Sequence, residues 1–156
     1  MIGGDNETGI RILPPVVAVA ALIIAWIVEY FLPTTTGFSS PIRLTVGIVL
    51  IAVPIALVMY LFAAFRRVET DYDVRKKPRT LVTGGAFAHS RNPGYVGMIV
   101  ACVGVGLAFD NLWVVPTALL AAMIIHYRVI LKEEALLEQA FGEAYLRYKD
   151  RVRRWI

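Results

Sequence analysis

Long apolar runs constrain this chain more than any other feature of its sequence. Residues 44–65 form one uncharged run, and residues 12–32 form another that carries only Glu29 near its far end. A helix that crosses the hydrocarbon core of a bilayer needs about 20 predominantly apolar residues. Because a bilayer offers no water to backbone N–H and C=O groups, a segment of this kind satisfies them internally as a helix. The two runs therefore predict two transmembrane helices.

Two further apolar runs occupy the second half of the chain, over residues 93–109 and 112–131, with Asp110 and Asn111 between them. A break this short predicts a tight helical hairpin. Hydrophobic residues make up 58% of the chain, compared with about 45–50% in a typical soluble domain. We therefore predict an all-α integral membrane protein, a single domain over residues 1–156 with about four transmembrane helices, the last two forming the hairpin.

Basic residues predict the orientation of these helices. Lysine and arginine cluster in the loop at residues 66–92 and again after residue 131, whereas the loop at residues 33–41 has neither. Basic residues near span ends favour the cytoplasmic side. Both termini and the 66–92 loop are therefore predicted to be cytoplasmic. The net charge of +4 is explained by this orientation and by contact with anionic membrane lipids, rather than by nucleic acid.

The region after the fourth run has the pattern of an amphipathic helix over residues 133–155. Its apolar residues follow one another at steps of three and four, which places them on one helical face. These residues are Leu137, Phe141, Tyr145, Tyr148, Val152 and Trp155. Gly142 is a candidate bend. Two placements remain open: the helix lies on the membrane surface, or it packs over the 66–92 loop and closes a cytoplasmic site.

Polar and ionisable residues from three stretches converge on the predicted cytoplasmic side. They are His89, Arg91, Asn92, His126, Arg128, Glu133 and Glu134. Ionisable groups at membrane depth are costly and indicate function. Arg91 and Arg128 can also be anchors that extend to the membrane surface, and His126 can be a helix-end residue packed against a neighbour. The two histidines lack the spacing of metal ligands, so no metal site is predicted.

The pair Asn92-Pro93 predicts where the third transmembrane helix begins. Proline disfavours helical backbone in the residue before it and is well tolerated in the first turn of a helix. The helix should therefore start at Pro93 with Asn92 as its cap. Its exposed N–H groups and positive end would then suit a carboxylate group of a ligand.

Two sequence blocks carry a family resemblance. "TLVTGGAFAHSRNPGYVG", followed after a helical hairpin by "EEALLEQAFGEAYLRYKDRV", resembles the isoprenylcysteine carboxyl methyltransferases and the wider group of membrane methyltransferases that includes the phospholipid methyltransferases. The resemblance implies an integral membrane enzyme that uses S-adenosylmethionine. It also implies a cofactor pocket on the cytoplasmic side, enclosed by the final helices and the tail, and a lipophilic substrate that enters from the bilayer.

The resemblance also assigns residues by position. Those that would contact the cofactor are Arg79, Thr80, Leu81, Val82, Phe87, Asn92, Pro93, Gly94, Tyr95 and Glu133. Phe87 stands where the family usually has tyrosine, and Asn92 where some members have histidine. The candidates for catalysis are Arg128, the arginine nearest to the family's substrate-binding arginine, with Glu134 and His89, and Glu133, Glu134 or His89 could act as a base. A carboxylate or thiolate acceptor needs no base, whereas an amine or hydroxyl does.

One position departs from the family pattern. The isoprenylcysteine enzymes place an arginine four residues before the binding glutamate, and Val129 stands there in this chain. The nearest arginine is Arg128, and a shift of one residue turns a helical side chain by about 100°. Either the helix is locally irregular, or the site does not bind a substrate carboxylate in that way.

Three other functions compete with a carboxyl methyltransferase. The first, within the same cofactor class, is an N-methyltransferase acting on phospholipid or another lipid amine. The second is a small transporter, which would place ionisable residues at mid-span rather than at one edge. The third is a non-catalytic scaffold whose basic tail binds a partner. Neither a transporter nor a scaffold should bind S-adenosylmethionine, so cofactor titration separates them from an enzyme.

Overall fold

The computed structural model of the chain describes residues 12–67 and 80–156, apart from the side chains of residues 64–67. Over these residues it is helical and contains no strand, which confirms the predicted all-α class. The helices are α1 (Pro14–Phe31), α2 (Ser40–Arg67), α3 (Pro93–Ala108), α4 (Val114–Ile125), α5 (Leu131–Phe141) and α6 (Glu143–Arg151). A 3-10 turn at Gly85–Ala88 and a π-helical turn at His126–Ile130 complete the set.

Three of the described helical segments are long and apolar enough to cross a membrane: Pro14–Phe31, Ser40–Ala63 and Val114–Phe141. The last of these runs from α4 through the π-helical turn into α5. Helix α3 is apolar but has 16 residues, a length of about 24 Å against a hydrocarbon core of about 30 Å. The chain is therefore a multi-pass membrane protein, while a count of four spans and the cytoplasmic placement of the termini stay predictions.

Glycines bring the backbones of α2 and α3 into contact. A Cβ atom added at Gly47 would lie 2.8 Å from the Gly104 carbonyl oxygen, and one added at Gly104 would lie 2.8 Å from Leu50 Cβ. Both distances are far shorter than ordinary van der Waals contact, so neither position has room for a side chain. Pro54 is buried within α2 and faces Gly97, where an added Cβ would lie 3.4 Å from Pro54 Cβ. Small residues at helix interfaces are typical of membrane bundles.

Helix α1 packs against α4 and α3 through small side chains. Ala18 and Ala25 of α1 lie in one buried cluster with Cys102 of α3 and with Val114 and Ala118 of α4. The large apolar side chains of α1, α2 and α4 mostly face outward. In water such a surface would be unstable, but in a bilayer it is solvated by lipid tails.

The hairpin between α3 and α4 is fastened to the loop between α1 and α2. The Thr36 N–H and hydroxyl donate to Asp110 Oδ1 at 2.8 and 2.6 Å, and Arg43 forms an ion pair with the same carboxylate. On the α1 side, the N–H and hydroxyl of Thr34 both donate to Glu29 at 2.6 Å. We call these five residues the loop clip.

Asp110 has a positive φ of 61°, a conformation that aspartate tolerates better than most residues. The hydrogen bonds from the Thr36 hydroxyl and N–H, with a smaller contribution from Arg43, lower the pKa of Asp110 from 3.8 to about 2. The clip is extended by Asn111, whose side chain donates to the Ala25 carbonyl at 3.2 Å. Trp113 Nε1 donates to the Leu32 carbonyl at 2.8 Å. The two loops therefore meet through several hydrogen bonds and one ion pair.

The tail differs from the single amphipathic helix predicted over residues 133–155. The helix ends at Phe141 because Gly142 adopts a φ of +51°, which helical backbone does not allow. Helix α6 then starts at Glu143 and ends at Arg151, and Val152 is extended. The apolar stripe is present, but two helices and the non-helical residues after them carry it.

Candidate functional site

The starts of α3 and α5 meet through one side-chain contact. The Tyr95 hydroxyl donates to the Glu133 carboxylate, with oxygen–oxygen distances of 3.0 and 3.1 Å. Both residues lie in the first turn of their helices. The Tyr95 N–H also donates to the Asn92 carbonyl at 3.1 Å. The contact joins three residues, Asn92, Tyr95 and Glu133, that the sequence assigned to one site from two separate blocks.

Helix α3 begins at Pro93, as the Asn92-Pro93 pair predicts. Asn92 occupies the cap position, but its side chain makes no capping hydrogen bond to the first turn. Its Nδ2 instead donates to the carbonyl of Arg154 at 2.8 Å. The side chain is therefore used to hold the end of the tail, and the first turn of α3 is left without a side-chain cap.

A cluster of two guanidinium groups around one carboxylate lies beside this contact. Glu134 is buried, and its two oxygens accept from Nε and Nη2 of Arg154 at 2.7 and 2.9 Å. Arg91 Nη2 lies 3.1 Å from Glu134 Oε1. The hydrogen bond to Glu134 is the main reason that the pKa of Arg154 is raised. We call Arg91, Glu134 and Arg154 the guanidinium cluster.

The guanidinium cluster changes the interpretation of Glu134, which was a candidate base. A carboxylate held by two guanidinium groups is stabilised in its charged form and is a poor proton acceptor. The contacts of Glu134 instead connect α5 to the loop before α3 and to the tail. Glu133, next to it, faces Tyr95 and is the carboxylate placed at the start of α3.

The last five residues, 152–156, follow α6 without regular secondary structure and contact the site; we call them the strap. The Arg91 N–H donates to the Arg153 carbonyl at 2.9 Å. The Trp155 ring is stacked with His126, with ring centroids 6.4 Å apart and an interplanar angle of 25°. Trp155 also packs against the buried cluster formed by Ile125, Val129 and Ile130. His126 is therefore packed against a neighbour, one of the two alternatives left open for it.

Helix α6 packs over the loop that precedes α3. Tyr145 and Tyr148 are buried, and the Tyr148 hydroxyl donates to the Phe87 carbonyl at 2.7 Å. Burial is the main reason that the pKa of Tyr145 is raised, and it raises the pKa of Tyr148 to about 12. Of the two placements left open for the tail, the contacts favour the one that covers the loop.

The helix that carries Glu133 is locally irregular. A π-helical turn spans His126–Ile130, and the Leu131 N–H donates to the His126 carbonyl five residues earlier. A turn of this kind inserts one residue into the helical register and often occurs at functional sites. Val129 is fully buried, whereas Arg128 is exposed. Within the described part of the chain, Arg128 forms no hydrogen bond or ion pair with Tyr95, Glu133 or any other residue.

The remaining predicted residues lie around the loop before α3. His89 is exposed, and its backbone N–H closes the 3-10 turn by donating to Ala86. Thr80 is exposed, and three others are partly buried: Leu81, Val82 and Phe87. Pro93 and Gly94 are buried at the start of α3. Arg79 and most of the basic part of the loop lie outside the described residues.

Sequence reasoning missed the strap as part of the site. Trp155 was recognised as the last member of the apolar stripe, but nothing in the sequence indicates that Arg154 pairs with Glu134. Arg91 was weighed only as one of several polar residues or as an anchor. Its position directly before Asn92-Pro93 was the available signal, because a residue there must lie near the start of α3.

The described residues contain no group of three or more His, Cys, Asp and Glu side chains placed to hold a metal ion.

A profile of the family described as phospholipid methyltransferase matches residues 42–144, which is more than half of the chain. The chain belongs to the phospholipid methyltransferase family. This match confirms the resemblance seen in the two sequence blocks.

Curated relatives include two proteins named protein-S-isoprenylcysteine O-methyltransferase. The one from Schizosaccharomyces pombe is 34% identical over 80 residues, which cover 50% of this chain and 33% of the relative. The one from Tribolium castaneum is 31% identical over 78 residues, which cover 50% and 28%. The cobalt-zinc-cadmium resistance protein CzcN of Cupriavidus metallidurans is 33% identical over 104 residues, which cover 67% and 44%. This chain spans less than half the length of each of these relatives.

A solved structure extends the similarity to the fold. The eukaryotic intramembrane Ras methyltransferase ICMT (isoprenylcysteine carboxyl methyltransferase) aligns with 91% of this chain and 51% of its own, with a TM-score of 0.62 and 26% identity. The alignment covers most of the helices described above. Two of the curated relatives and the solved structure are named methyltransferases, and this chain shares the helical fold of the solved one.

Proposed function

We propose that this chain transfers a methyl group from S-adenosylmethionine to a lipophilic acceptor at the cytoplasmic face of the membrane, in the manner of an isoprenylcysteine carboxyl methyltransferase. The observation that carries the proposal is the contact between Tyr95 and Glu133. It joins the two sequence blocks of the family at one end of the membrane helices. Family membership supports the reaction type, and the lipid-facing surface of the helices supports a lipophilic acceptor.

The residues at this site fit the polar groups of S-adenosylmethionine, which supplies a methyl group carried on a sulfonium. The Glu133 carboxylate accepts from Tyr95 and has further lone pairs, so it can accept from an ammonium or from ribose hydroxyls. The start of α3 is uncapped by any side chain and carries the positive end of the helix dipole. Acceptor and donor groups therefore both lie around the start of α3.

The chain's contribution to such a reaction is mainly orientation and the exclusion of water. Methyl transfer from a sulfonium is an in-line displacement with a neutral leaving group, so no acid is needed to assist departure. Tyr95 and Glu133 would hold the ligand at a fixed place relative to α3, which raises the rate by alignment. Helix α6 and the strap, through Tyr148 and Trp155, would cover the site and keep water from it.

The proposal is tested with the full chain purified in detergent and in lipid nanodiscs. Calorimetric titration with S-adenosylhomocysteine should show binding, and a labelled methyl donor should transfer its methyl to a lipophilic acceptor. The acceptor panel contains a farnesylated cysteine with a free carboxylate and a phospholipid with a primary amine. Transfer to the first supports the carboxyl reaction, and transfer to the second alone supports the lipid amine alternative.

Matched variants at the two ends of the bundle sharpen this test. Glu133→Gln should weaken binding of S-adenosylhomocysteine. Glu29→Gln, which changes a carboxylate in the loop clip, should leave binding unchanged. Absence of binding by the wild-type chain would overturn the enzyme proposal and favour a transporter or scaffold.

A further inference from the structure

Arg91 is the buried arginine whose hydrogen-bonding capacity the described residues do not fill. Its side chain is 7% exposed. Nη2 faces Glu134 at 3.1 Å, and the backbone N–H donates to Arg153. Nε and Nη1 are buried, and neither has a hydrogen-bond partner among the described residues.

Unfilled donors on a buried guanidinium are unusual because each one has lost its water without a replacement. Glu134 does not supply the missing acceptors, since it pairs with Arg91 through Nη2 alone and also accepts from Nε and Nη2 of Arg154. Glu133, the neighbouring carboxylate, accepts from the Tyr95 hydroxyl and from neither of the two unpaired nitrogens. Arg91 Nε and Nη1 therefore need a hydrogen-bond acceptor from outside the described part of the chain.

The position of Arg91 is fixed by main-chain contacts on both sides. Its own N–H is held by Arg153, and the side chain of the next residue, Asn92, is held by the Arg154 carbonyl at 2.8 Å. Pro93 then begins α3. The free nitrogens thus belong to a residue anchored directly before the positive end of a 16-residue helix, and both features favour a negatively charged group.

Arg128 lacks these properties, although it is the arginine nearest to the family's substrate-binding position, where Val129 stands. It is exposed, and its neighbour Val129 is a buried residue of the π-helical turn at this position. An arginine at the surface can be solvated by water or by lipid headgroups at the membrane edge, so it has less to gain from an anion. A buried one with unfilled donors gains a full set of charge-assisted hydrogen bonds.

We propose that Arg91, rather than Arg128, binds a carboxylate group of the ligand through Nε and Nη1. The carboxylate comes either from the amino-acid part of S-adenosylmethionine or from a methyl acceptor of the isoprenylcysteine type. This inference rests on the proposed function, because both sources are ligands of that reaction. It assigns the recognition of the anion to the residue that precedes Asn92-Pro93.

The first arm of the test compares two cofactor products by calorimetry on the full chain. S-adenosylhomocysteine carries the carboxylate, and its decarboxylated analogue, S-adenosyl-3-thiopropylamine, does not. If the cofactor is the source of the carboxylate, Arg91→Gln weakens binding of S-adenosylhomocysteine by about tenfold or more. It weakens binding of the decarboxylated analogue by less than about twofold.

The second arm uses chain saturated with S-adenosylhomocysteine, so that no turnover occurs. A farnesylated cysteine with a free carboxylate is compared with its carboxamide. If the acceptor is the source, Arg91→Gln weakens binding of the carboxylate by about tenfold and leaves binding of the carboxamide within about twofold. A carboxylate-selective loss in either arm supports the inference, and the arm in which it occurs identifies the source.

Arg154→Gln is the matched control, because it removes the other guanidinium from Glu134 and leaves Arg91 in place. It should weaken both members of each pair by the same factor. The inference is overturned if Arg91→Gln acts equally on both members in both arms, if it leaves all affinities at the wild-type value, or if Arg154→Gln shows the same selectivity.

A replacement variant and the binding behaviour of the wild-type chain keep the test decisive. If Arg91→Gln does not yield folded chain, Arg91→Lys replaces it, and a smaller loss with the same selectivity is expected because lysine retains the charge but not the guanidinium nitrogens. Failure of the wild-type chain to bind S-adenosylhomocysteine would overturn the proposed function. Wild-type binding with an unselective Arg91 variant would overturn only the role of Arg91.

Discussion

The two ends of the helical bundle use polar side chains in different ways. At the loop clip, the carboxylates of Glu29 and Asp110 accept hydrogen bonds from the threonines of the adjoining loop. At the site end, two guanidinium groups share the single carboxylate of Glu134. Among the described residues, the clip leaves one buried donor without a partner, on Arg43, whereas the site end leaves two on Arg91.

The difference is clearest in the two arginines. Arg43 in the clip has one buried nitrogen without a partner, Nε, on a side chain that is 22% exposed. Arg91 at the site has two such nitrogens on a side chain that is 7% exposed. Arg43 is close to water and Arg91 is not. The comparison indicates that the clip serves stability and that the site end keeps capacity for a ligand.

The largest expected effect is a loss of stability in Glu134→Ala. The substitution leaves Arg91 and Arg154 without their shared carboxylate, and breaking a buried ion pair costs about 3 kcal/mol or more. Thermal unfolding in detergent should show a large drop in the midpoint. The control is Glu138→Ala on the same helix, because its partner Lys149 and Glu138 itself are 35% and 36% exposed. An equal drop in both variants would remove the distinction between the cluster and an ordinary surface pair.

The next effect concerns ligand affinity rather than stability. Glu133→Gln should weaken S-adenosylhomocysteine binding about tenfold to a hundredfold, since a hydrogen bond to a charged group contributes about 1.5–3 kcal/mol. Glu29→Gln should instead lower the unfolding midpoint and leave the affinity unchanged. Calorimetry and thermal unfolding on both variants measure the two quantities. The comparison between the ends breaks down if both variants change both quantities to the same extent.

A smaller effect is expected from Tyr148→Phe, which removes the hydroxyl that donates to the Phe87 carbonyl. The loss should be about 1 kcal/mol of unfolding free energy, the usual contribution of one hydrogen bond. Hydrogen exchange of residues 85–91 should become faster because α6 no longer fastens the loop. Tyr127→Phe is the control, since Tyr127 is 65% exposed. Unchanged exchange in Tyr148→Phe would show that apolar packing alone holds α6.

The smallest effect is a pH dependence at the loop clip. The pKa of Asp110 is lowered from 3.8 to about 2, so the folded state holds this carboxylate in its charged form. Its stabilising contribution is fully present above pH 3.8 and is lost as the pH falls toward about 2. Unfolding midpoints of the wild-type chain should fall across this range more steeply than those of Asp110→Asn. Parallel curves would show that the clip does not depend on the charge of Asp110.

Local chemistry made much of the fold predictable from sequence. Apolar runs indicated the long helices, and the Asn92-Pro93 pair indicated the residue at which α3 begins. The two family blocks brought Tyr95 and Glu133 to one site because both blocks adjoin the same hairpin. Each of these signals lies within a short stretch of the chain, where propensity and periodicity act directly.

The features that the sequence did not predict depend on contacts between residues far apart in the chain, which no local pattern shows. The Asn92 side chain was expected to cap α3, but it binds the Arg154 carbonyl, 62 residues away in sequence. The apolar stripe of the tail runs past Gly142 without a change of period, so the break at φ +51° has no signature beyond the glycine itself. The π-helical turn likewise leaves no mark in the sequence, and it does not bring Arg128 inward, since Val129 is buried and Arg128 is exposed. The assigned roles of the site residues stay predictions until ligands are tested.

The strap is held to the loop by the main-chain carbonyls of Arg153 and Arg154. A carbonyl is present whatever the side chain, so this attachment tolerates sequence drift at position 153, where the side chain is exposed. Only the residues at 154 and 155 are restricted by the partners of their side chains, Glu134 and His126. Divergent homologues can therefore keep the same closure over the site while showing little recognisable similarity in these last residues.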